Sequence, residues 1–218
     1  ASVCLSCTAG KFSSTAAGTC TSCSAGSYTS AANSAACNTC PAGYISPLGS
    51  SSCTLCKLGK YSGGTGNTVC TTCAAGTFAA GSGMSACVKC NPGTYSSIGA
   101  SSCKDCLKGT YSYKGSATCT PCKSGTYSAQ DNAGTCQACP AGTWSGIGSR
   151  NCIACLPGKY SNAGSSQCTN CEAGKYAPVS GAAFCEQCEE GKYVGPVAAT
   201  ACFRCSVGTY QSTTGGTS

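Results

Sequence analysis

Cys90-Asn91-Pro92-Gly93-Thr94-Tyr95-Ser96, followed after a short polar segment by Cys103, is the stretch whose reading decides the fold. Thr94, Tyr95 and Ser96 alternate polar, aromatic and polar, the pattern of a short strand with one face outward. Gly93 and the Gly/Ser/Ala segment before Cys103 punctuate it with turns, and no helical period survives them. The reading predicts a two-residue-scale hairpin element closed by cysteines, with the aromatic ring packed inward on the sulfurs.

Working outward, the same unit recurs along all 218 residues. Cys-x-x-Cys pairs open at Cys4, Cys20, Cys37, Cys53, Cys70, Cys87, Cys103, Cys119, Cys136, Cys152, Cys168, Cys185 and Cys202, always 16 or 17 residues apart. A glycine stands three residues after every second cysteine, and an aromatic residue five after it in twelve of thirteen copies. Ile45 is the exception, its aromatic displaced to Tyr44. Four residues before the next pair glycine recurs eight times, as in Gly49, Gly66, Gly99 and Gly164, with Asn33 and Asn132 in two other copies. Glycine and asparagine tolerate positive φ, so this is a left-handed turn position. A fixed period over residues 1–218 is the mark of a continuous tandem array.

Composition agrees. There are 26 cysteines, 30 glycines, no histidine, one methionine, one tryptophan and only 9% charged residues. Alanine and cysteine supply most of the hydrophobic fraction, so burial of large aliphatic side chains cannot offset the entropy of ordering the chain. Covalent staples must do so. The expected fold class is therefore small disulfide-rich β: an elongated rod of hairpin-like repeats with almost no conventional hydrophobic core and no helices of note. An even, very high cysteine count belongs to an oxidising compartment, which makes the expected location extracellular, whether secreted, at the cell surface or on a filament. No run of about 18 apolar residues is present to span a membrane.

The segments Cys90 to Cys103 and Cys139-Pro140-Ala141-Gly142-Thr143-Trp144 to Cys152 resemble the cysteine-rich repeats of ephrin-receptor type, which are similar to the simplest module of tumour-necrosis-factor receptors. The resemblance covers essentially the whole chain. It implies that the cysteine before each glycine closes on the next cysteine along: Cys7 with Cys20, Cys23 with Cys37, Cys40 with Cys53, Cys56 with Cys70, Cys73 with Cys87, Cys90 with Cys103, Cys106 with Cys119, Cys122 with Cys136, Cys139 with Cys152, Cys155 with Cys168, Cys171 with Cys185 and Cys188 with Cys202. Cys4 and Cys205 are then left over, and the polypeptide is expected to continue in both directions. Each closed loop adds about 3 kcal/mol through loop-closure entropy, so stability is local to the repeat. Tumour-necrosis-factor receptors alternate this module with larger ones, whereas here it repeats alone, which speaks against a cytokine ligand.

Other chemistries fit less well. Cys-x-x-Cys pairs approach four-cysteine zinc spacing, but the interval between pairs never groups them into separate sites. Thioredoxin-like redox work needs one activated pair at a helix start. With no histidine and six acidic residues, neither a triad nor a carboxylate pair is available. The sequence thus implies no catalytic, cofactor or metal site. The net charge of +7 arises before residue 130, where eight lysines face only Asp105, and dispersed lysines read first as a solubilising face. Nucleic-acid binding would need clustered arginine, and only Arg150 and Arg204 occur.

Serine or threonine follows the aromatic at Ser13, Thr29, Ser46, Ser62, Ser96, Ser112, Ser128, Ser145 and Ser161. These positions are candidate O-glycan acceptors along one edge, with Ser50-Ser51-Ser52 and Ser101-Ser102 in the turns adding more. No Asn-x-Ser/Thr sequon is present. The functional expectation is a non-enzymatic, structural or adhesive extracellular repeat protein of a cell surface, matrix or external filament, its partners being further copies, other extracellular structural proteins and glycans. The alternatives are the stalk of a receptor ectodomain that binds a protein ligand and, behind it, a zinc-binding cysteine-rich surface protein.

Overall fold

A computed structural model describes residues 4–217 of the chain. It divides into two compact units, the first Ala1–Lys104 with Lys114–Thr118, the second Asp105–Tyr113 with Cys119–Ser218. Both are built from one hairpin type, and no helix occurs among the described residues.

The hairpin begins with a turn that the sequence dictates. In the Cys90 repeat the Thr94 N–H donates to the Asn91 carbonyl at 3.1 Å, an i to i+3 bond, and the third turn residue, Gly93, has φ +83°. That is the signature of a type II turn, which demands glycine at its third place and favours proline at its second, where Pro92 stands. Leu156-Pro157-Gly158-Lys159 repeats it with a 3.1 Å bond. The two residues after each glycine form a strand, and their partner is the pair enclosed by the next Cys-x-x-Cys. In the first unit Lys11–Phe12 pairs antiparallel with Thr21–Ser22, and Thr77–Phe78 with Val88–Lys89. In the second, Thr143–Trp144 pairs with Ile153–Ala154 and Lys192–Tyr193 with Phe203–Arg204.

Successive hairpins are joined by backbone hydrogen bonds at constant positions. Gly10 N–H donates to the Thr29 carbonyl of the next repeat at 2.8 Å, and the Cys23 N–H returns to the Gly10 carbonyl at 2.9 Å. Gly142 donates to Ser161 and Cys155 to Gly142 at 2.8 and 2.9 Å. The aromatic residue also makes a parallel bridge to the following repeat, as Phe12 does with Ser34 and Tyr160 with Ala182. The turn before each Cys-x-x-Cys sits in the left-handed region at every position from Ala16 to Ala198, with φ near +61° even at those two alanines and at Asn33 (+60°) and Asn132 (+62°). There the N–H donates to a cysteine carbonyl one repeat back: Gly49 to Cys23 and Ala198 to Cys171, both at 2.8 Å.

Sulfur links the same places. Each second cysteine of a pair is bonded to the first cysteine of the next, from Cys7–Cys20 in the first unit to Cys188–Cys202 in the second, with Cα separations of 5.6 and 5.8 Å, inside the ordinary disulfide range. Cys4 and Cys205 carry free thiols. The core consists of these sulfurs. The second cysteine of every pair from Cys23 to Cys188 is wholly buried and Cys7 nearly so, and Ala79, Ala177 and Val194 are the other buried apolar residues among those described. The remaining apolar side chains, Leu48, Ile98 and Ile147 among them, stand exposed.

Two expectations about side-chain direction are corrected here. The repeat rings from Phe12 to Tyr193 are half-buried rather than packed inside, Tyr210 is exposed, and the buried member of the strand is the residue after the ring. Thr29, Ser46, Ser62, Ser96, Ser112, Ser128, Ser145 and Ser161 are each no more than 6% exposed. A polar side chain is buried at no loss when its hydrogen bonds are made. The Ser46, Ser96 and Ser145 hydroxyls donate to the carbonyls of Ser27, Thr77 and Thr126 in the preceding repeat at 3.0, 2.9 and 3.0 Å. Among the described residues no buried side-chain nitrogen or oxygen lacks a partner.

Candidate interaction surface

Because backbone, sulfur and buried serine are all committed to the neighbouring repeat, the side chains free to meet another molecule are those on the rim of each hairpin. The residue after the second cysteine and the residue after the glycine stand at the two ends of the type II turn, three apart, and their side chains lie together. Glu172 and Lys175 form an ion pair of 3.1 Å, Glu189 and Lys192 one of 2.7 Å. The hydrogen bond from Lys192 holds the Glu189 carboxyl below the usual carboxylate range. Glu186, across the hairpin, hydrogen-bonds Tyr176 and raises its phenol.

Beside this pair the ring of the preceding repeat opens a shallow cleft. Tyr160, Glu172, Lys175, Phe184 and Cys185 line one of about 220 Å³. The equivalent positions recur in a second of about 470 Å³, where Trp144, Leu156, Lys159, Gln167 and Cys168 take the same places. A third, of about 230 Å³, has Tyr111, Lys123, Thr126, Thr135 and Cys136, with Tyr113 set edge-on to Tyr111 at 5.4 Å. Each cleft thus joins a ring from one repeat to the turn and disulfide of the next. These are open niches with one aromatic wall, faced by charged residues beside Tyr160 and by Ile153, Ala154 and Leu156 beside Trp144.

Of the nine Ser and Thr positions following an aromatic, eight are buried and bonded within the array, and Ser13 alone among them is half-exposed. Exposed hydroxyls stand in the turns, at Ser51, Ser52, Ser101 and Ser102 among others, and on the second strand of hairpins, as at Thr54, Thr71 and Thr72. Disulfide-bonded sulfurs are not thiolates, so among the described residues only Cys4 and Cys205 keep a thiol to offer a metal. Missing from the sequence reading were the strand enclosed by each Cys-x-x-Cys and the turn-end ion pairs. The i, i+3 recurrence of Glu172 with Lys175 and Glu189 with Lys192 was the available signal.

Such units define a disulfide-stapled tandem cysteine-rich repeat, a module of the ectodomain type. The model of the family described as tyrosine-protein kinase ephrin type A/B receptor-like matches residues 10–45, 109–155 and 158–201, more than half of the chain, and the protein belongs to that family. Comparison with curated proteins finds no match. Disulfide density and family together point to an extracellular location. No helix among the described residues is long and apolar enough to cross a membrane.

Proposed function

We propose that the array is a structural or adhesive element of an extracellular assembly, at a cell surface, in a matrix or on an external filament, and that it works without catalysis by offering one contact surface many times. The observation that carries this reading is the recurrence of one cleft, built from equivalent positions, in three repeats of the second unit. Contacts too weak to matter singly then add through effective concentration. The partners are further copies of the chain, other structural proteins and glycans. Its own glycans sit on the exposed turn serines, such as Ser51 and Ser101, rather than on the strand.

The reading is tested by labelling intact, unpermeabilised cells with antibody to the oxidised array, then cross-linking in place. Surface labelling with cross-links spread over several repeats is the expected result. Labelling only after permeabilisation overturns the location. Cross-links confined to one repeat overturn the multivalent role in favour of a receptor stalk with a single ligand site.

A further inference from the structure

The turn-end pair that carries Glu172 with Lys175 and Glu189 with Lys192 is occupied in the first unit by Lys57 and Lys60. The turn is the same: Lys60 N–H donates to the Lys57 carbonyl at 3.0 Å, as Lys175 does to Glu172 and Lys192 to Glu189 at 3.1 Å. The same turn therefore places two exposed lysines at its two ends in the first unit. The first unit contains six lysines (Lys11, Lys57, Lys60, Lys89, Lys104, Lys114) and neither aspartate nor glutamate, the acid next to it being Asp105, which shares a strand with Lys104. A second lysine concentration lies in the same unit, where the Lys89 stem covers the turn Lys114–Gly115, its Cδ 3.4 Å from the place a β-carbon on Gly115 would take.

Solubility alone would be served as well by lysine in either unit and does not account for acid being admitted to one and excluded from the other. We propose that the Lys57–Lys60 turn is an anion site and that the first unit docks an anionic polysaccharide, one bearing sulfate or uronate groups along its length. Two ammoniums at one turn clamp a single sulfate or carboxylate, and the remaining lysines meet successive groups of the same polymer. A polyanion is favoured over a single small anion because the lysines recur along several repeats while each site is exposed, where one ion pair is worth little. A saccharide is favoured over nucleic acid because the lysines are accompanied by neither arginine clusters nor stacked rings in this unit. The inference rests on the proposed extracellular role for access to its ligand and deepens it by naming a partner class.

The test uses the whole oxidised chain and three immobilised polymers of matched length: a sulfated glycan, a polyuronate and the desulfated, neutral glycan. Single-stranded DNA of equal charge is the fourth probe. Binding to a charged glycan, falling steeply with added salt, is expected. K57E restores the ion pair that the second unit makes and so keeps the fold; it should weaken binding by about tenfold, and E172K should add affinity to the second unit. Unchanged affinity in K57E overturns the site, and DNA bound as tightly as the glycans overturns the partner. The relative strength of the sulfated and uronate arms identifies the acidic group, while absence of binding to both overturns the proposal. Surface labelling tests the extracellular role independently, so the two readings fail separately.

Discussion

Gly142 shows how one residue can carry two requirements. Its φ of +82° suits the third place of a type II turn, and a β-carbon there would overlap the carbonyl oxygen of Gly181, two repeats on in the same unit. Backbone cannot move aside as a flexible side chain can. Gly191 occupies the equivalent turn with φ +74° but nothing lies within 4 Å of its missing β-carbon. Gly191→Ala should therefore cost only about 1–2 kcal/mol for left-handed backbone, whereas Gly142→Ala adds overpacking of about 1–3 kcal/mol. Amide exchange of residues 142 and 161 against 191 and 211 reads the two locally; equal losses would remove the close-approach account. Glu189 supplies a pH marker. Its carboxyl is lowered by the Lys192 hydrogen bond, so its contribution is present above the unfolded-state value and lost as pH falls through the depressed folded one. NMR titration should place Glu189 below the usual carboxylate range, and Lys192→Gln should raise it back toward that range.

The hairpin is where sequence and structure can be compared most closely. The period, the glycine and the left-handed turn were legible because each is a backbone demand that few residues meet, and Asn33 and Asn132 mark the turn as plainly as glycine does. Ala16 and Ala198 share that conformation without any local signal; at Ala198 the hydrogen bond to the Cys171 carbonyl one repeat back holds it. Burial was not legible. Alternation places Ser145 and Trp144 on opposite faces, and hydrophobicity alone assigns the ring to the inside. Yet the space beside the disulfide admits only a small side chain, and the ring is left on the rim. Ala79, Ala177 and Val194 occupy the serine's place elsewhere, so Ser145→Ala should fold and cost about 0.5–1.5 kcal/mol for its hydrogen bond to Thr126. Mass spectrometry of secreted protein should find hexose on turn peptides containing Ser51 or Ser101 and none on Ser145; an occupied Ser145 would contradict its burial.

At the scale of the whole molecule, what replaces a core is the sum of local closures. Among the described residues Val194 is the one large aliphatic side chain in the interior of either unit; cysteine, glycine, serine and alanine stand elsewhere. Such residues bury too little apolar area to offset ordering, at roughly 25 cal/mol per Å². The twelve disulfides, spanning separations of 13 or 14 residues, each restrict the unfolded chain by about 3 kcal/mol. Because hydrogen bonds join each repeat to its neighbour, opening one disulfide should loosen its own hairpin and the hairpins bonded to it before distant ones, and a single two-state transition is not expected. Graded reductant should therefore produce a ladder of partly reduced species with progressive loss of amide protection, ending in an unfolded chain, while a strong chelator should leave the spectrum unchanged. Native-like amide dispersion after complete reduction would show that packing suffices without sulfur, and unfolding by the chelator alone would return the cysteines to metal chemistry.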